Sequence, residues 1–439
     1  MADNSSGKVA IDSYHRHKSD VQLVKNLGLD VYRFSISWSQ ILPGGKLSKG
    51  VNQLGIDYYN ALIDELVSNG IKPVVTLFHR DVPQVLEDLY GGFLSPRIVD
   101  DFRNYADVCF KYFGDRVKYW VTFNEPWSFS KEGYADGLSA PARCTYWYDS
   151  DCAGGDSGTE PYLVTHHLII AHASAVRLYR QKYQSTQNGS IGITNVAEWY
   201  LPSTIGSARD EEAVRVQLDF KFGWFLHPIT YGVYPKVMQQ RVGNRLPRFT
   251  REQSKWLIGS IDFLGLNYYT GNFATFFDKS YIPKYPSYST DSGVITTGFD
   301  SDGTDIGITA GSAWFRRYAV GLKELLNYIK TNYKNPPILI TENGICTMGD
   351  TTEDSINDMY RVKYLEEHLC CLLRAIEDDK ANVFGYIVRK MFDALESTQG
   401  YDDLSLKRIT KTSTSYWLKN VLSTNDTSLS DHSRTSSGG

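Results

Sequence analysis

The sequence predicts an α/β protein of the (β/α)8 TIM-barrel type, and three observations carry that expectation. Short apolar β-type runs alternate with amphipathic helical stretches along most of the 439 residues. Two of those runs, ending at Glu125 and Glu342, deliver an acid and then a turn. No Gly-x-Gly-x-x-Gly turn follows any run, so the doubly wound sheet, the runner-up, lacks its phosphate-cradling signature.

Taken in order, residues 17–27 read as a helix, apolar at Val21, Leu23, Val24 and Leu27, ahead of a strand over 31–37. Residues 56–69, apolar at Leu62, Ile63 and Leu66, lead into a strand over 73–78. A helix over 96–113 precedes a strand over 119–123, one over 162–183 a strand over 191–195, and one over 208–223 a strand over 261–267. Helices over 320–333 and 360–378 precede strands over 337–341 and 383–388, and a last helix covers 413–422. That makes seven strands where a closed barrel of this kind needs eight, so an incomplete barrel is expected, its first strand missing. One domain is expected over 1–422, with a disordered Ser/Thr/Asp-rich tail over 423–439.

Composition narrows the function classes. With 46 basic and 50 acidic residues the net charge is -4, which offers no basic footprint for a phosphate backbone, so nucleic acid is not an expected partner. No stretch of about 18 apolar residues occurs, and the first residues do not resemble a signal peptide, so no membrane partner is expected. Cys109, Cys346, Cys370 and Cys371 show no metal-ligand spacing, and His166, His167 and His172 lack acidic or Cys partners. Buried thiols and a helix's surface and core are their expected places; no metal and no cofactor is expected. Cys144 and Cys152 sit in a loop rich in Gly, Asp and Ser, where a disulfide would contribute roughly 2–3 kcal/mol in an oxidising compartment. Sequons at Asn4, Asn188 and Asn425 fit secretion, which leaves the compartment open.

The chemistry concentrates in Thr122-Phe123-Asn124-Glu125-Pro126 and Ile340-Thr341-Glu342-Asn343-Gly344. The C-terminal ends of barrel strands meet at one face, so acids far apart in sequence can face each other there. Paired carboxylates are the working parts of glycoside hydrolysis, and retention of configuration needs them about 5 Å apart.

With Asp12-Ser13-Tyr14-His15-Arg16, Tyr32-Arg33-Phe34-Ser35-Ile36-Ser37-Trp38, Gly155-Asp156-Ser157-Gly158-Thr159-Glu160-Pro161-Tyr162 and Trp417-Leu418-Lys419-Asn420, the two acid motifs make the chain resemble the family-1 glycoside hydrolases of the plant β-glucosidase type. The resemblance implies a retaining hydrolase of β-D-glucosides, with Glu342 as nucleophile and Glu125 as acid/base. It implies Arg33 and Asn267 as support for the nucleophile, and His79, Asn124, Tyr269, Trp314 and Glu396 as substrate-binding residues, Tyr269 also donating to the nucleophile. A small-molecule β-glucoside is the implied partner, and the family's secreted, vacuolar or endoplasmic-reticulum sites are the implied location. A thioglucosidase variant fits less well, because such enzymes replace the acid/base Glu by Gln and Glu125 stands.

Three departures fall on substrate binding. The family's first strand, with a Gln for the sugar's hydroxyls, is absent. Arg80 stands where the family has Trp after the His of the third motif, so a stacking face becomes a cation. Gly385-Tyr386-Ile387-Val388-Arg389-Lys390-Met391 replaces a strand that carries Trp in relatives, and a segment after Asp403 is missing. These departures set up the alternative of a catalytically impaired homologue: a sugar-binding or scaffold protein, or a truncated gene product.

Overall fold

A computed structural model describes residues 12–147, 149–152, 154–278, 280, 284–310, 312–345, 352–389 and 412–424. Its strands, in chain order, are β1 (Val31–Ser35), β2 (Lys72–Phe78), β3 (Tyr119–Asn124), β4 (Ser190–Pro202), β5 (Phe263–Phe276), β6 (Val294–Thr297), β7 (Ile308–Ala310), β8 (Ser312–Arg317), β9 (Ile338–Asn343) and β10 (Val383–Val388). Seven pair in parallel in the order β1-β2-β3-β4-β5-β9-β10, while β6 lies antiparallel on β5 and β7 forms a hairpin with β8. Val31, Val74, Val121, Phe263, Leu339 and Ile387, one from each of six strands, share a single apolar cluster. Side chains from both ends of the strand order can meet only if the sheet wraps around, so the seven strands form a barrel with a filled interior.

Helices supply the outer layer. Gln53–Ser68 and Arg97–Phe113 lead into β2 and β3, and the second of these buries Phe102, Tyr105, Ala106, Cys109, Phe110 and Phe113 on one stripe. Glu160–Lys182 precedes β4, Val320–Asn332 precedes β9 and Met359–Glu377 precedes β10. Packing of these stripes on the barrel's outside forms the large clusters around Trp120, Trp224 and Leu326.

Differences from expectation have local causes. Trp38 does not extend β1; it opens a short helix, Trp38–Ile41, and its indole N–H donates to the Gly45 carbonyl at 3.0 Å. β4 and β5 run on past Asn195 and Asn267, pairing with each other out to Pro202 and Ala274 and burying Tyr200, Tyr268 and Ala274. The helix from Ala208 stops at Leu218 and passes through a π-helical turn, Asp219–Gly223, into Trp224–Tyr231. His166, His167 and His172, read as partly surface, are all buried. Their Nδ1 atoms meet the Tyr234 hydroxyl at 3.0 Å, the Phe93 carbonyl at 2.7 Å and the Thr122 hydroxyl at 2.7 Å. Cys109 is buried, whereas Cys370 and Cys371 are half-buried; Cys346 lies outside the described residues. Cys144 and Cys152 are disulfide-bonded.

Among the described residues β1 has β2 as its only strand neighbour and β10 has only β9. The gap between these two edges is roofed by the helices Ser13–Asn26 and Ser413–Thr424, which blunts both edges. Beneath them lies a cavity of about 710 Å³ lined by Leu23, Leu27, Val31, Ile387, Leu418 and Leu422, reaching Arg33, His79 and Glu342 at its inner end. The last helix continues to Thr424, past the expected boundary at 422; residues 425–439 lie outside the described part.

Candidate active site

β3 and β9 bring the two acids to one end of the barrel by the same device. From Val121 to Asn124 β3 advances three residues while its partner β4 advances two, from Gly192 to Thr194. From Ile340 to Glu342 β9 advances two residues while β5 advances one, from Leu266 to Asn267. One extra residue turns the side chains that follow it to the opposite face of a strand. The lower parts of β3 and β9 thus bury Val121 and Leu339 inside the barrel, and the register shift aims Asn124 and Glu342 inward above them.

Glu125 follows β3 with φ 46°, in the left-handed region, and Pro126 begins the helix Pro126–Tyr134. Such a conformation costs a non-glycine residue on the order of 1–3 kcal/mol. Proline at the first helical position lacks an N–H that would have no helical partner there. The Glu125 amide donates to the Thr194 carbonyl at 2.9 Å, tying the turn to β4.

Glu342 is held by cations and a phenol. Arg33, reaching from β1, donates through Nη1 to Glu342 Oε1 at 2.6 Å and to the Thr341 carbonyl at 3.3 Å. The Tyr269 hydroxyl donates to Oε2, and Arg389 Nε lies 3.1 Å from the same oxygen. Burial by itself would raise the Glu342 carboxyl, but the Arg33 and Arg389 charges, with His79 and the Tyr269 hydroxyl, bring it down to about 2. The group is a carboxylate throughout the neutral range, as a nucleophile must be. Asn343 anchors the strand end beside it, donating to the Tyr268 carbonyl at 2.7 Å and the Tyr364 hydroxyl at 3.0 Å. At Gly344 a Cβ would overlap the Arg389 carbonyl oxygen, which explains the glycine.

Glu125 has a different set of partners. Asn267 Nδ2 donates to its Oε1 at 2.7 Å, while Ser128 Oγ and Arg80 Nη2 meet its Oε2 at 2.9 and 3.1 Å. Arg80 also donates to Glu132 at 2.6 Å, and the two carboxylates outweigh the effect of burial and raise its guanidinium above the ordinary range. Between the acids lies Asn124, whose Oδ1 accepts from both Arg33 and Asn267. Its Nδ2 therefore faces His79 Nε2, 3.2 Å away, as a donor, and that nitrogen must accept. Burial pushes the His79 ring down to about 4, consistent with the neutral tautomer this requires.

The structure thus brings Arg33, His79, Asn124, Glu125, Asn267, Tyr269 and Glu342 into one hydrogen-bonded network. Asn267, expected beside the nucleophile, instead donates to Glu125, and its Oδ1 accepts from the Thr341 hydroxyl at 2.7 Å. Trp314 lies on β8, but its side chain is outside the described part, as is all of Glu396. Sequence reasoning missed Ser128 and Glu132 as partners. Arg80 and Arg389 were noticed only as departures from a pattern, and each turns out to contact one acid.

A family model described as glycosyl hydrolase family 1 matches residues 1–427. Beta-glucosidase 12 of Oryza sativa subsp. japonica is 51% identical over 404 residues, 91% of this chain and 78% of that protein. Raucaffricine-O-beta-D-glucosidase of Rauvolfia serpentina is 50% identical over 418 residues, 90% of this chain and 77% of that protein. Among solved structures, a mutant of the rice Os3BGlu6 β-glucosidase in covalent complex with glucose superposes with a TM-score of 0.92 at 41% identity, covering 95% of this chain and 90% of that one.

Proposed function

Because the chain belongs to glycosyl hydrolase family 1, we propose that it hydrolyses the O-glycosidic bond of β-glucosides by double displacement, with Glu342 as nucleophile and Glu125 as acid/base. The observation that carries the assignment of roles is the asymmetry of the two carboxylates' surroundings. Two arginines and a tyrosine hydroxyl keep Glu342 charged and aimed, while Glu125 is held by an amide, a hydroxyl and a shared guanidinium.

In the first step a Glu342 oxygen forms a bond to the anomeric carbon as the bond to the aglycone oxygen breaks. That oxygen keeps the electron pair and takes the proton of Glu125. In the second step Glu125 accepts a proton from water, the water oxygen bonds to the anomeric carbon, and Glu342 leaves. Asn124 and His79 flank both acids and offer hydrogen-bonding edges to the sugar's hydroxyls. The impaired-homologue alternative finds no favouring observation: Arg33 and Tyr269 donate to Glu342, and Asn267 donates to Glu125.

The test is intact mass after incubation with a dinitrophenyl 2-fluoro-glucoside, which needs the nucleophile and little acid help. One fluoroglucosyl group attached to Glu342, located by peptide mapping, is the expected outcome. A cooperatively melting protein that takes up no sugar would overturn the assignment.

A further inference from the structure

Arg80 has left-handed backbone, φ 66°, and its side chain is mostly buried between two carboxylates. Nη2 meets Glu125 Oε2 at 3.1 Å and Nη1 meets Glu132 Oε2 at 2.6 Å, where the Ser139 hydroxyl also donates at 3.0 Å. The buried Nε has no hydrogen-bond partner among the described residues. A guanidinium can only donate. An oxygen of Glu125 that is to hand a proton to an aglycone must itself point a hydrogen outward, and Oε2 faces a cation that cannot accept it. Asn267 Nδ2 occupies Oε1 as a second donor. The resting arrangement suits the base of the second step, whereas the acid of the first step requires Arg80 to swing toward Glu132.

We propose that Arg80 is a positioning residue that sets aglycone preference: by occupying Glu125 it favours β-glucosides whose aglycone departs without a proton, strongly acidic phenols and carboxylic acids, over phenyl and alkyl glucosides. The inference rests on the reading of Glu125 as acid/base. The balance of the step supports it: when the glycosidic bond breaks, the aglycone oxygen holds the electron pair either as a neutral alcohol, with a proton from Glu125, or as a phenolate or carboxylate that needs none.

The experiment compares kcat/KM for dinitrophenyl, phenyl and methyl β-glucosides in the wild type, Arg80→Met and Glu132→Gln, with a thermal melt of each. General acid help is worth roughly 10²–10⁴-fold, so partial release of Glu125 in Arg80→Met should raise the phenyl-to-dinitrophenyl ratio by about tenfold or more. Glu132→Gln removes the charge that competes with Glu125 for Arg80 and should move the ratio the opposite way. A merely structural role would lower all three substrates together. Ratios within about twofold of wild type in both variants would overturn the proposal. If Arg80→Met does not fold, Glu132→Gln decides alone. Labelling of Glu342 by the fluoroglucoside with unchanged ratios removes only the Arg80 role; no labelling of the wild type removes the retaining reading and this inference with it.

Discussion

Arg33 donates to three groups at once: the Glu342 carboxylate, the Thr341 carbonyl and the Asn124 side chain. Its planar fork does this from a half-buried position on β1, whereas the point charge of lysine at that site could satisfy only part of the set. Arg33→Lys should therefore lower kcat/KM by about a hundredfold, the scale of losing one fixed donor at a reacting centre, while the melting temperature changes little. Activity near wild type would show that charge alone suffices. At this scale Glu125, Glu342, Arg33, Asn124, Tyr269 and His79 were legible because each lies in a short, distinctive string of residues. Asn267 was legible as a site residue but its partner was not, since Glu125 is 142 residues away.

β4 and β5 approach so closely that a Cβ at Gly192 would overlap the Phe263 carbonyl oxygen. Gly192→Ala should therefore force the two strands apart and lower stability by about 1–3 kcal/mol, read as a shift of the urea midpoint at unchanged slope. An unchanged midpoint would mean that the strands yield freely. The same pair of elements illustrates why strand ends were misplaced: β4 and β5 continue as one paired ladder past Asn195 and Asn267, the polar residues at which their apolar runs were read as ending. Apolar periodicity reports burial, and it located seven strand cores. The single extra residue before Asn124 and before Glu342 leaves no mark in the pattern.

Across the whole molecule, acid should unfold this protein from an unusual direction. Burial pushes the rings of His172 and His368 down to about 3, from an ordinary value of 6.5. The unfolded chain takes up protons below 6.5 that the folded chain refuses until about 3, so stability is lost as the pH falls through that interval. By about pH 5 each ring costs on the order of 2 kcal/mol. Glu342 acts lower: its contribution is complete above its ordinary 4.5 and is lost as the pH falls toward about 2. The melting temperature should thus drop between about pH 7 and pH 5, ahead of the carboxylates, and His368→Gln should flatten the slope. A melting temperature constant over that range would sink this account.

The alternation of helix and strand, and the acids at Glu125 and Glu342, were determined by the sequence itself, because both are carried by residues close together along the chain. Only the tertiary structure decided what each acid touches. Arg80 reached Glu125 across 45 residues and Arg33 reached Glu342 across 309, contacts that exist because the barrel folds its strand ends onto one face. Electrostatic environment is set by neighbours in space, and chain spacing says nothing about them until the barrel has closed around its core.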